Sequence, residues 1–302
     1  MHPLEIRVPA TTANLGAGYD LIGAALGFGN RFIFTPASAL EIQLSGPLAT
    51  QAHLPQDQRN TVIQVIEQAY RERGLPGPTF KLDIELHVPP ARGLGSSSTA
   101  IAAGLLAAQH WLNQPWSPPE LLARAIAWEG HPDNIAPALL GGCRLNLTTS
   151  DHHWHCARLP VPADLHWIVC SPDFELETHA ARAVVPESLT RADCIRNSGY
   201  LASLIAGLLQ NDDTLIRLGL HDLLHQPARA RLIPGMSAVI DAACEAGALG
   251  AVLSGAGPSL LALSRTHPEK IATAMQSAWE QIGISSRVVI TSVAHEGAQV
   301  LY

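Results

Sequence analysis

Residues 89–99 combine two glycines and three consecutive serines, with a strand pattern before them and an apolar helix pattern after them. The segment reads Pro89, Pro90, Ala91, Arg92, Gly93, Leu94, Gly95, Ser96, Ser97, Ser98 and Thr99. The glycines let the backbone turn tightly and approach a ligand closely. The serines fall at a helix start, where unpaired N–H groups and the helix dipole favour an anion. This order of residues predicts a loop that binds the phosphates of a nucleotide.

Two better-known phosphate-binding patterns do not match this segment. A Walker A loop requires Gly-Lys-[Ser/Thr], and the Rossmann fingerprint requires a third glycine after an unbroken strand. The alternative without a ligand is a helix with an ordinary N-cap after a glycine turn. That alternative explains a lone Gly-x-Gly-Ser well, but it explains the whole proline-to-serine string poorly.

Hydrophobic periodicity places this loop among mixed helices and strands. Polar and apolar residues alternate over residues 81–88, which predicts a half-buried strand leading into the loop. Helices are predicted from Asn60 to Arg73, from Ser97 to Leu112 and from Ser117 to Glu129. Strands and helices continue to alternate through the second half of the chain, so the expected fold class is α+β.

Composition narrows the class of protein. The chain has 302 residues, a net charge of −7 and no basic patch, so nucleic acid is not an expected partner. The N-terminal residues lack a signal-peptide pattern, and the longest apolar stretch, residues 99–112, is too short to span a membrane. Five cysteines without Cys-x-x-Cys spacing are typical of reduced thiols. These features predict a soluble, cytoplasmic protein without a membrane partner.

A polar segment at residues 148–155 contains three histidines, His152, His153 and His155, beside Asp151. Clustered histidines can bind a metal ion. A solvated turn between two strands explains the same polarity and is the favoured interpretation. The segment also suits a junction between two domains.

Three strings in the chain, in this order, resemble the motifs of the GHMP kinase family. Residues 8–20 (VPATTANLGAGYD) resemble the first motif, and residues 253–259 (LSGAGPS) resemble the third. Residues 89–99, called the Gly-Ser loop below, resemble the ATP loop. Together they reach across most of the chain. The resemblance implies a two-domain GHMP kinase fold, with a ribosomal-protein-like ATP-binding domain over residues 1–155 and a ferredoxin-like domain over residues 156–302.

Details of the strings are similar to the branch of the family that phosphorylates L-homoserine on the path to threonine. Residues 130–137 (GHPDNIAP) and 227–234 (PARARLIP) are similar to two strings of that branch. Ala17 and Tyr19 depart from it, because proline and phenylalanine are usual there. The resemblance therefore implies a transfer of phosphate from ATP to the hydroxyl of L-homoserine.

The resemblance also implies roles for an acceptor pocket. Asp20 would bind the ammonium group of the substrate, with Asn14 hydrogen-bonding nearby. Arg182 and Arg229 would bind its carboxylate, which an arginine fork can hold through two hydrogen bonds. The other residues implied for this pocket are Thr178, His131, Asp133 and Gly255. Other interpretations are a helix cap for Asp20, a surface charge for Arg182 and a structural role for His131.

A Mg²⁺ ion is implied next to the phosphates, held by Ser97 and Glu129, since hydroxyl and carboxylate oxygens suit this ion. A solvated glutamate at a helix end is the alternative, and the equivalence assumes a loop shortened by a deletion. The resemblance places Asn134 near the reacting hydroxyl, and an amide cannot act as a base, so the implied mechanism lacks a carboxylate base. Asn60 either lies near the adenine or only caps a helix.

Two rival functions remain open at this level. One is a sister kinase for another small alcohol such as mevalonate, from which Asp20 beside Asn14 should distinguish it. The other is a catalytically silent relative that binds nucleotide and acts as a regulator, against which the intact Ser97 and Glu129 argue. A homodimer is an expectation from the family alone.

Overall fold

A computed structural model describes residues 2–113, 115–149 and 154–301. The polar segment with the three histidines lies largely outside the described residues, so the metal interpretation concerns a part of the chain that is not described. Within the described ranges, no helix has both the length and the apolar character needed to cross a bilayer.

The first sheet carries the strands around the Gly-Ser loop. Its strands are β1 (Leu4–Ala13), β2 (Ile22–Pro36), β3 (Glu41–Ser45), β4 (Phe80–Glu85), β5 (Cys143–Thr148) and β6 (Trp154–Leu159), together with β11 (Gln299–Leu301). The strand order is β11-β1-β2-β4-β3, and β5 joins β2 to β6. Only the β3–β4 pair among these is parallel. The strand predicted over residues 81–88 is observed as β4, but it ends at Glu85, three residues earlier than predicted.

Four helices cover one face of the first sheet. They are α1 (Thr61–Arg71), α2 (Ser96–Trp111), α3 (Pro118–Glu129) and α4 (Pro132–Leu140). α2 is apolar on almost every side and lies in the centre of the core, against β1 and α1. A helix that is hydrophobic all round must be buried, and this burial fixes the position of its N-terminus at Ser96. The predicted helices of this region begin and end within two residues of the observed ones.

The second sheet is antiparallel, with the order β10-β7-β9-β8. Its strands are β7 (His166–Pro172), β8 (Gly250–Leu253), β9 (Leu260–Ser264) and β10 (Ser286–Thr291). α9 (Met236–Glu245) and α10 (Pro268–Glu280) pack on one face through Ile168 and Leu260. Trp167 and Leu261 point to the other face and join a core shared with β1 and β2 of the first sheet. Burial on both faces explains why β7 is a continuous apolar run.

Four helices that are shorter or more exposed lie between β7 and α9 in the sequence. They are α5 (Thr178–Ala183), α6 (Arg191–Gln210), α7 (Asp213–Gly219) and α8 (Gln226–Arg229). A helix is predicted over residues 214–224, yet α7 ends at Gly219. The reason is Asp222, whose Oδ2 accepts the backbone N–H groups of His225 and Gln226 and so starts α8 instead.

The sheets divide the chain differently from the predicted domains. The predicted boundary at residues 155 and 156 falls inside β6, which pairs with β5 in the first sheet. β11 also returns to the first sheet, where it pairs with β1. The fold is the expected mixed architecture with two sheets, while a boundary by sheets would lie between Leu159 and His166.

Candidate active site

The Gly-Ser loop joins β4 to α2 and ends at a helix N-terminus. Gly95 is the N-cap of α2 with φ of +68°, and Gly93 has φ of +72°. A Cβ on Gly93 would lie 2.2 Å from the carbonyl oxygen of Ser254, and one on Gly95 would lie 1.9 Å from Thr11 Oγ1. Both positions therefore require glycine for space as well as for conformation. The first backbone N–H groups of α2 are left free to bind an anion.

The three sequence strings meet at this loop. The backbone N–H of Thr11 donates to the carbonyl of Leu94 at 3.1 Å, and the hydroxyl of Ser254 donates to the carbonyl of Gly93 at 2.7 Å. These bonds attach the loop to β1 on one side and to the turn after β8 on the other. Two segments that are far apart in the sequence therefore hold the backbone of the Gly-Ser loop in place.

A cleft of about 250 Å³ opens beside the loop. The residues predicted for the acceptor all line it: Asn14, Asp20, His131, Asp133, Thr178, Arg182, Arg229 and Gly255. The residues predicted for catalysis, Ser97, Glu129 and Asn134, line it as well. α5 positions Thr178 and Arg182 on one face, as their spacing predicts.

A second cavity of about 200 Å³ lies on the other side of the loop and shares Ala91, Ser96 and Ser97 with the cleft. Its walls include Phe32, Leu54, Pro55, Ile84 and Leu86, which are apolar. Asn60 lines it too, but its side chain is already engaged: Oδ1 accepts the N–H of Val62 and Nδ2 donates to the carbonyl of Pro55. Asn60 is therefore a helix cap that also forms part of a cavity wall.

Some residues of the predicted loop do not face the cleft. The Thr99 hydroxyl donates to the carbonyl of Ser96 at 2.7 Å, and it accepts from Asn30 Nδ2 at 3.0 Å. Pro89 lines a separate cavity, and Ser98 is fully buried. These residues shape the loop from within, and Asn30 is a supporting residue that the sequence reasoning missed.

Arg92 is another loop residue whose side chain has partners of its own. Its guanidinium donates to the carbonyl of Pro172 at 3.0 Å and forms ion pairs with Asp173 and Glu175 at 3.5 and 3.3 Å. Arg92 therefore connects the loop to the end of β7 in the second sheet.

Arg229 is fully buried at the end of α8. Its Nε donates to the carbonyl of Ala181 at 2.9 Å, and its NH1 donates to the carbonyl of Gly255 at 3.0 Å and to Nδ1 of His225 at 3.3 Å. Among the described residues no carboxylate forms an ion pair with it. Burial lowers the pKa of Arg229. The carboxylates of Asp20 and Asp133 act on it only from beyond ion-pair distance. A buried guanidinium without a direct ion pair attracts an anion in the cleft.

His225 accepts a hydrogen bond from Arg229 and was missed by the sequence reasoning. Its Nε2 donates to the carbonyl of Gly16 at 2.9 Å, which leaves Nδ1 as the acceptor for Arg229. Burial lowers the pKa of His225, although Asp222 opposes the effect. The ring is therefore neutral at pH 7. No feature of the sequence around residue 225 signals this role.

Arg182 and Asp20 form a bidentate ion pair across the cleft, at 2.7 and 2.9 Å. The backbone N–H of Asp20 donates to Asn14 Oδ1, while Asn14 Nδ2 donates to the carbonyl of Gly255. Asn14 and Asp20 both have positive φ, of +75° and +56°. Such conformations cost energy and cluster at functional sites. Asp20 is therefore not a helix cap, and Arg182 is not a free surface charge.

Tyr19 lies between the two arginines. Its ring centroid is 5.2 Å from the guanidinium carbon of Arg229 and 5.7 Å from that of Arg182, within cation–π range. Its hydroxyl accepts from Arg182 NH1 at 3.3 Å, and its ring packs against His225. The departure from phenylalanine at this position therefore adds a polar contact to the acceptor side.

The turn between α3 and α4 brings Glu129, His131 and Asp133 to the cleft. His131 Nδ1 contacts Asp133 Oδ1 in a short hydrogen-bonded pair. Burial lowers the pKa of His131, but the hydrogen bond to Asp133 and the charges of Asp133 and Glu129 together outweigh it and raise the pKa above its usual value. Ligand atoms of Asp20, His131 and Asp133 lie within 4.8 Å of one another. Both oxygens of Asp20 already accept from Arg182, so this cluster is a poor fit for a metal ion.

Glu129 suits a cation better. Its Oε2 is shielded from solvent and has no hydrogen-bond partner among the described residues. Burial raises the pKa of this carboxyl, an effect that the charge of His131 and the nearby hydroxyls of Ser98 and Ser97 oppose. Ser97 lines the same cleft. A buried carboxylate oxygen without a partner, next to a hydroxyl and a phosphate-binding helix end, is a donor set that fits Mg²⁺.

Comparison with known proteins identifies the family of the chain. The family model for the GHMP kinases N terminal domain matches residues 60–142, and that for the GHMP kinases C terminal matches residues 178–281. The chain therefore belongs to the GHMP kinase family. A mevalonate kinase structure shares 13% identity with a TM-score of 0.69 over 97% of this chain and 99% of the other, which is a likeness of fold.

Nearer relatives are more specific. A homoserine kinase from Synechococcus sp. is 44% identical over 298 residues, covering 98% of this chain and 97% of the relative. One from Trichormus variabilis is 45% identical over 292 residues, covering 96% of each. The crystal structure of a homoserine kinase from Cytophaga hutchinsonii is 32% identical, with a TM-score of 0.87 over 100% of this chain and 98% of that one.

Proposed function

We propose that this chain transfers the γ-phosphoryl group of ATP to the hydroxyl of L-homoserine, which yields O-phospho-L-homoserine on the path to threonine. The observation that carries the proposal is the buried guanidinium of Arg229, which forms no ion pair among the described residues and lines the same cleft as the Asp20–Arg182 pair, beside the phosphate loop. A charge arrangement of this kind is complementary to a zwitterion. The full-length relatives named homoserine kinases support the same acceptor.

The substrate carboxylate would bind Arg229 and Arg182. Arg229 gains the counter-charge that it lacks, and Arg182 can exchange a bond to Asp20 for one to the substrate. The ammonium group would then take the place that Arg182 leaves at Asp20, near Asp133. Because each charge of the substrate replaces one half of an existing pair, no charged group of the cleft is left without a partner.

The nucleotide would bind along the loop. The free N–H groups at the start of α2 would hold its phosphates, and the apolar cavity with Asn60 in its wall would accept the adenine. Mg²⁺ would be held by Ser97 and Glu129. Bound there, the ion neutralises the charge that develops on the transferred phosphoryl group.

Phosphoryl transfer depends mainly on positioning and on charge stabilisation. Asn134 is placed by α4 at the cleft wall and cannot take up a proton. In the proposed mechanism it orients the acceptor oxygen, and no carboxylate acts as a dedicated base. If the substitution Asn134→Asp increased kcat sharply, this part of the mechanism would be wrong.

The experiment that tests the function is ADP release with L-homoserine, mevalonate, shikimate and galactose as acceptors. Turnover with L-homoserine at a kcat/KM at least about 100-fold above the others is expected. Turnover with mevalonate instead would establish the sister-kinase alternative. Nucleotide binding without turnover on any acceptor would establish a catalytically silent relative. A homodimer remains a prediction, which sedimentation of the purified chain would test.

A further inference from the structure

Thr11 lies where β1, the phosphate loop and α4 meet, and none of the roles above uses its side chain. The side chain is fully buried. Its backbone N–H donates to the carbonyl of Leu94 at 3.1 Å, and its hydroxyl donates to Oδ1 of Asn134 at 2.8 Å. One residue therefore touches both the loop for the phosphates and the amide that faces the acceptor.

The hydrogen bond from Thr11 decides which end of the Asn134 amide faces the cleft. Oδ1 accepts from the Thr11 hydroxyl, so the two hydrogens of Nδ2 are left for a ligand. A donating amide can bind the acceptor oxygen or an oxygen of the transferred phosphoryl group. The opposite orientation would present Oδ1, which repels the phosphoryl oxygens and can only accept the proton of the acceptor hydroxyl. A threonine hydroxyl can donate or accept, and in this structure it donates to Oδ1, which turns Nδ2 away from Thr11.

Packing around Thr11 holds the pair in place. A Cβ on Gly95 would lie 1.9 Å from Thr11 Oγ1 and 3.3 Å from Asn134 Oδ1, so the loop leaves just enough room for the bond. The register of β1 against β2 shifts between Pro9 and Thr11, and such irregularities commonly re-aim a side chain toward a site. A β-branched threonine also has few rotamers.

We propose that Thr11 is a positioning residue for phosphoryl transfer: its hydroxyl orients the Asn134 amide with Nδ2 toward the cleft, in fixed relation to the phosphate loop. The inference rests on the proposed function, since it assumes that Asn134 contacts the reacting oxygens. Displacement of a reacting group by about 1 Å can cost on the order of 100-fold in rate, so an amide free to rotate should slow the reaction without weakening binding.

The first test compares Thr11→Val, which keeps the shape and removes the hydroxyl, with Thr11→Ser, which keeps the hydroxyl. With L-homoserine, Thr11→Val should lower kcat about tenfold, the loss that corresponds to one hydrogen bond. The KM values for ATP and L-homoserine should change by less than about twofold, and Thr11→Ser should recover most of the rate. A Thr11→Val enzyme with the kcat of the wild type would overturn the inference.

Thermal unfolding and ADP binding check that each variant is folded. If Thr11→Val does not fold, the pair Thr11→Ser and Thr11→Ala gives the same comparison, because these two variants differ by one oxygen atom. Equal kcat values in that pair would also overturn the inference. Absence of turnover in the wild type would instead overturn the proposed function.

A double-mutant cycle separates positioning from a general structural role. If Thr11 acts through Asn134, adding Thr11→Val to Asn134→Ala should lower kcat no further. A second loss of about tenfold in the double variant would show that Thr11 acts through other contacts, and the inference would then be wrong.

Discussion

In the proposed complex, the two halves of the cleft would bind charge by different means. On the nucleotide side, the anion site is built from backbone: Gly93, Gly95 and the first turn of α2. On the acceptor side, it is built from charged side chains, of which Arg229 is buried and Asp20 and Arg182 are partly exposed. A site built from backbone requires that no side-chain atom collides with the close-packed loop. A site built from charged side chains requires that each buried charge has a partner of opposite charge.

This difference predicts how each half fails. A substitution on the nucleotide side should act through steric conflict with neighbouring backbone, so even one methyl group is a large change. A substitution on the acceptor side should act through an unpaired charge or an absent counter-charge, and the fold should survive it. The substitutions below test this distinction.

The largest effect is expected for Gly93→Ala. Its Cβ would lie 2.2 Å from the carbonyl oxygen of Ser254, so the loop or the turn after β8 must move. We expect a loss of kcat/KM for ATP of at least about 1,000-fold, several kcal/mol at ~1.4 kcal/mol per tenfold. Gly74→Ala is the matched control, because Gly74 also has positive φ but has no atom near its Cβ position. Similar losses in both variants would contradict a steric cause.

Arg229→Ala should have the next largest effect, on the acceptor alone. Removing one partner of a buried, hydrogen-bonded charge pair costs about 2–5 kcal/mol, so KM for L-homoserine should rise by about 100-fold or more. ATP binding, measured by calorimetry, should be unchanged. Arg231→Ala is the control, since Arg231 is exposed two residues further on. A lost ATP affinity in Arg229→Ala would remove the separation between the two halves.

Glu129→Gln should lower kcat by about 10–100-fold and yet stabilise the free protein. Burial raises the pKa of this carboxyl, so the folded state holds a proton more tightly than the unfolded state does. Its ionised form therefore destabilises the fold above the raised pKa, and the neutral amide removes that cost.

The stabilisation by Glu129→Gln should be present at pH 7 and disappear below the carboxyl's ordinary pKa of about 4.5, where glutamate is neutral in both states. Thermal unfolding without nucleotide across this pH range checks it. With Mg²⁺ and ATP present, the wild type should gain stability that the variant does not. A variant less stable than the wild type at pH 7 would show that the carboxylate already has a partner.

The smallest effect is expected for Tyr19→Phe. The ring remains between the two arginines, and only the 3.3 Å contact to Arg182 disappears. KM for L-homoserine should change by no more than about threefold, since a long, partly exposed hydrogen bond contributes little even when its donor is charged. Tyr19→Leu, which removes the ring, should raise KM further. Equal effects of the two variants would mean that the hydroxyl is the part of Tyr19 that matters.

The nucleotide half was the easier one to predict from sequence, for a physical reason. Its residues are contiguous, and Gly93, Gly95 and the start of α2 act through local backbone conformation. The prediction could not distinguish Ser98 and Thr99, which turn inward, from Ser96 and Ser97, because that depends on how α2 rotates in the core.

The acceptor half was predicted only through resemblance. Asp20, Asp133, Arg182 and Arg229 come from four separate segments, and no local pattern brings them together. His225 was missed because its role comes from tertiary contacts with Gly16 and Arg229.

The helix α4 shows a further limit of local patterns. Its two prolines, Pro132 and Pro137, gave no periodic signal. Pro132 nevertheless occupies the first turn, where the ring fits a helix. Tertiary packing of an almost fully buried segment then outweighs the cost of Pro137.

The pairing of β11 with β1 has a consequence for how the site forms. Residues 299–301 cover one edge of the strand that carries Thr11 and leads to Asn14, while β2 covers the other edge. Contacts between residues so far apart in sequence are slow to form. Until they form, the hydrogen-bonding edge of β1 is open to other chains. Assembly of the first sheet, and with it resistance to aggregation, therefore depends on a pairing between strands that are far apart in the sequence.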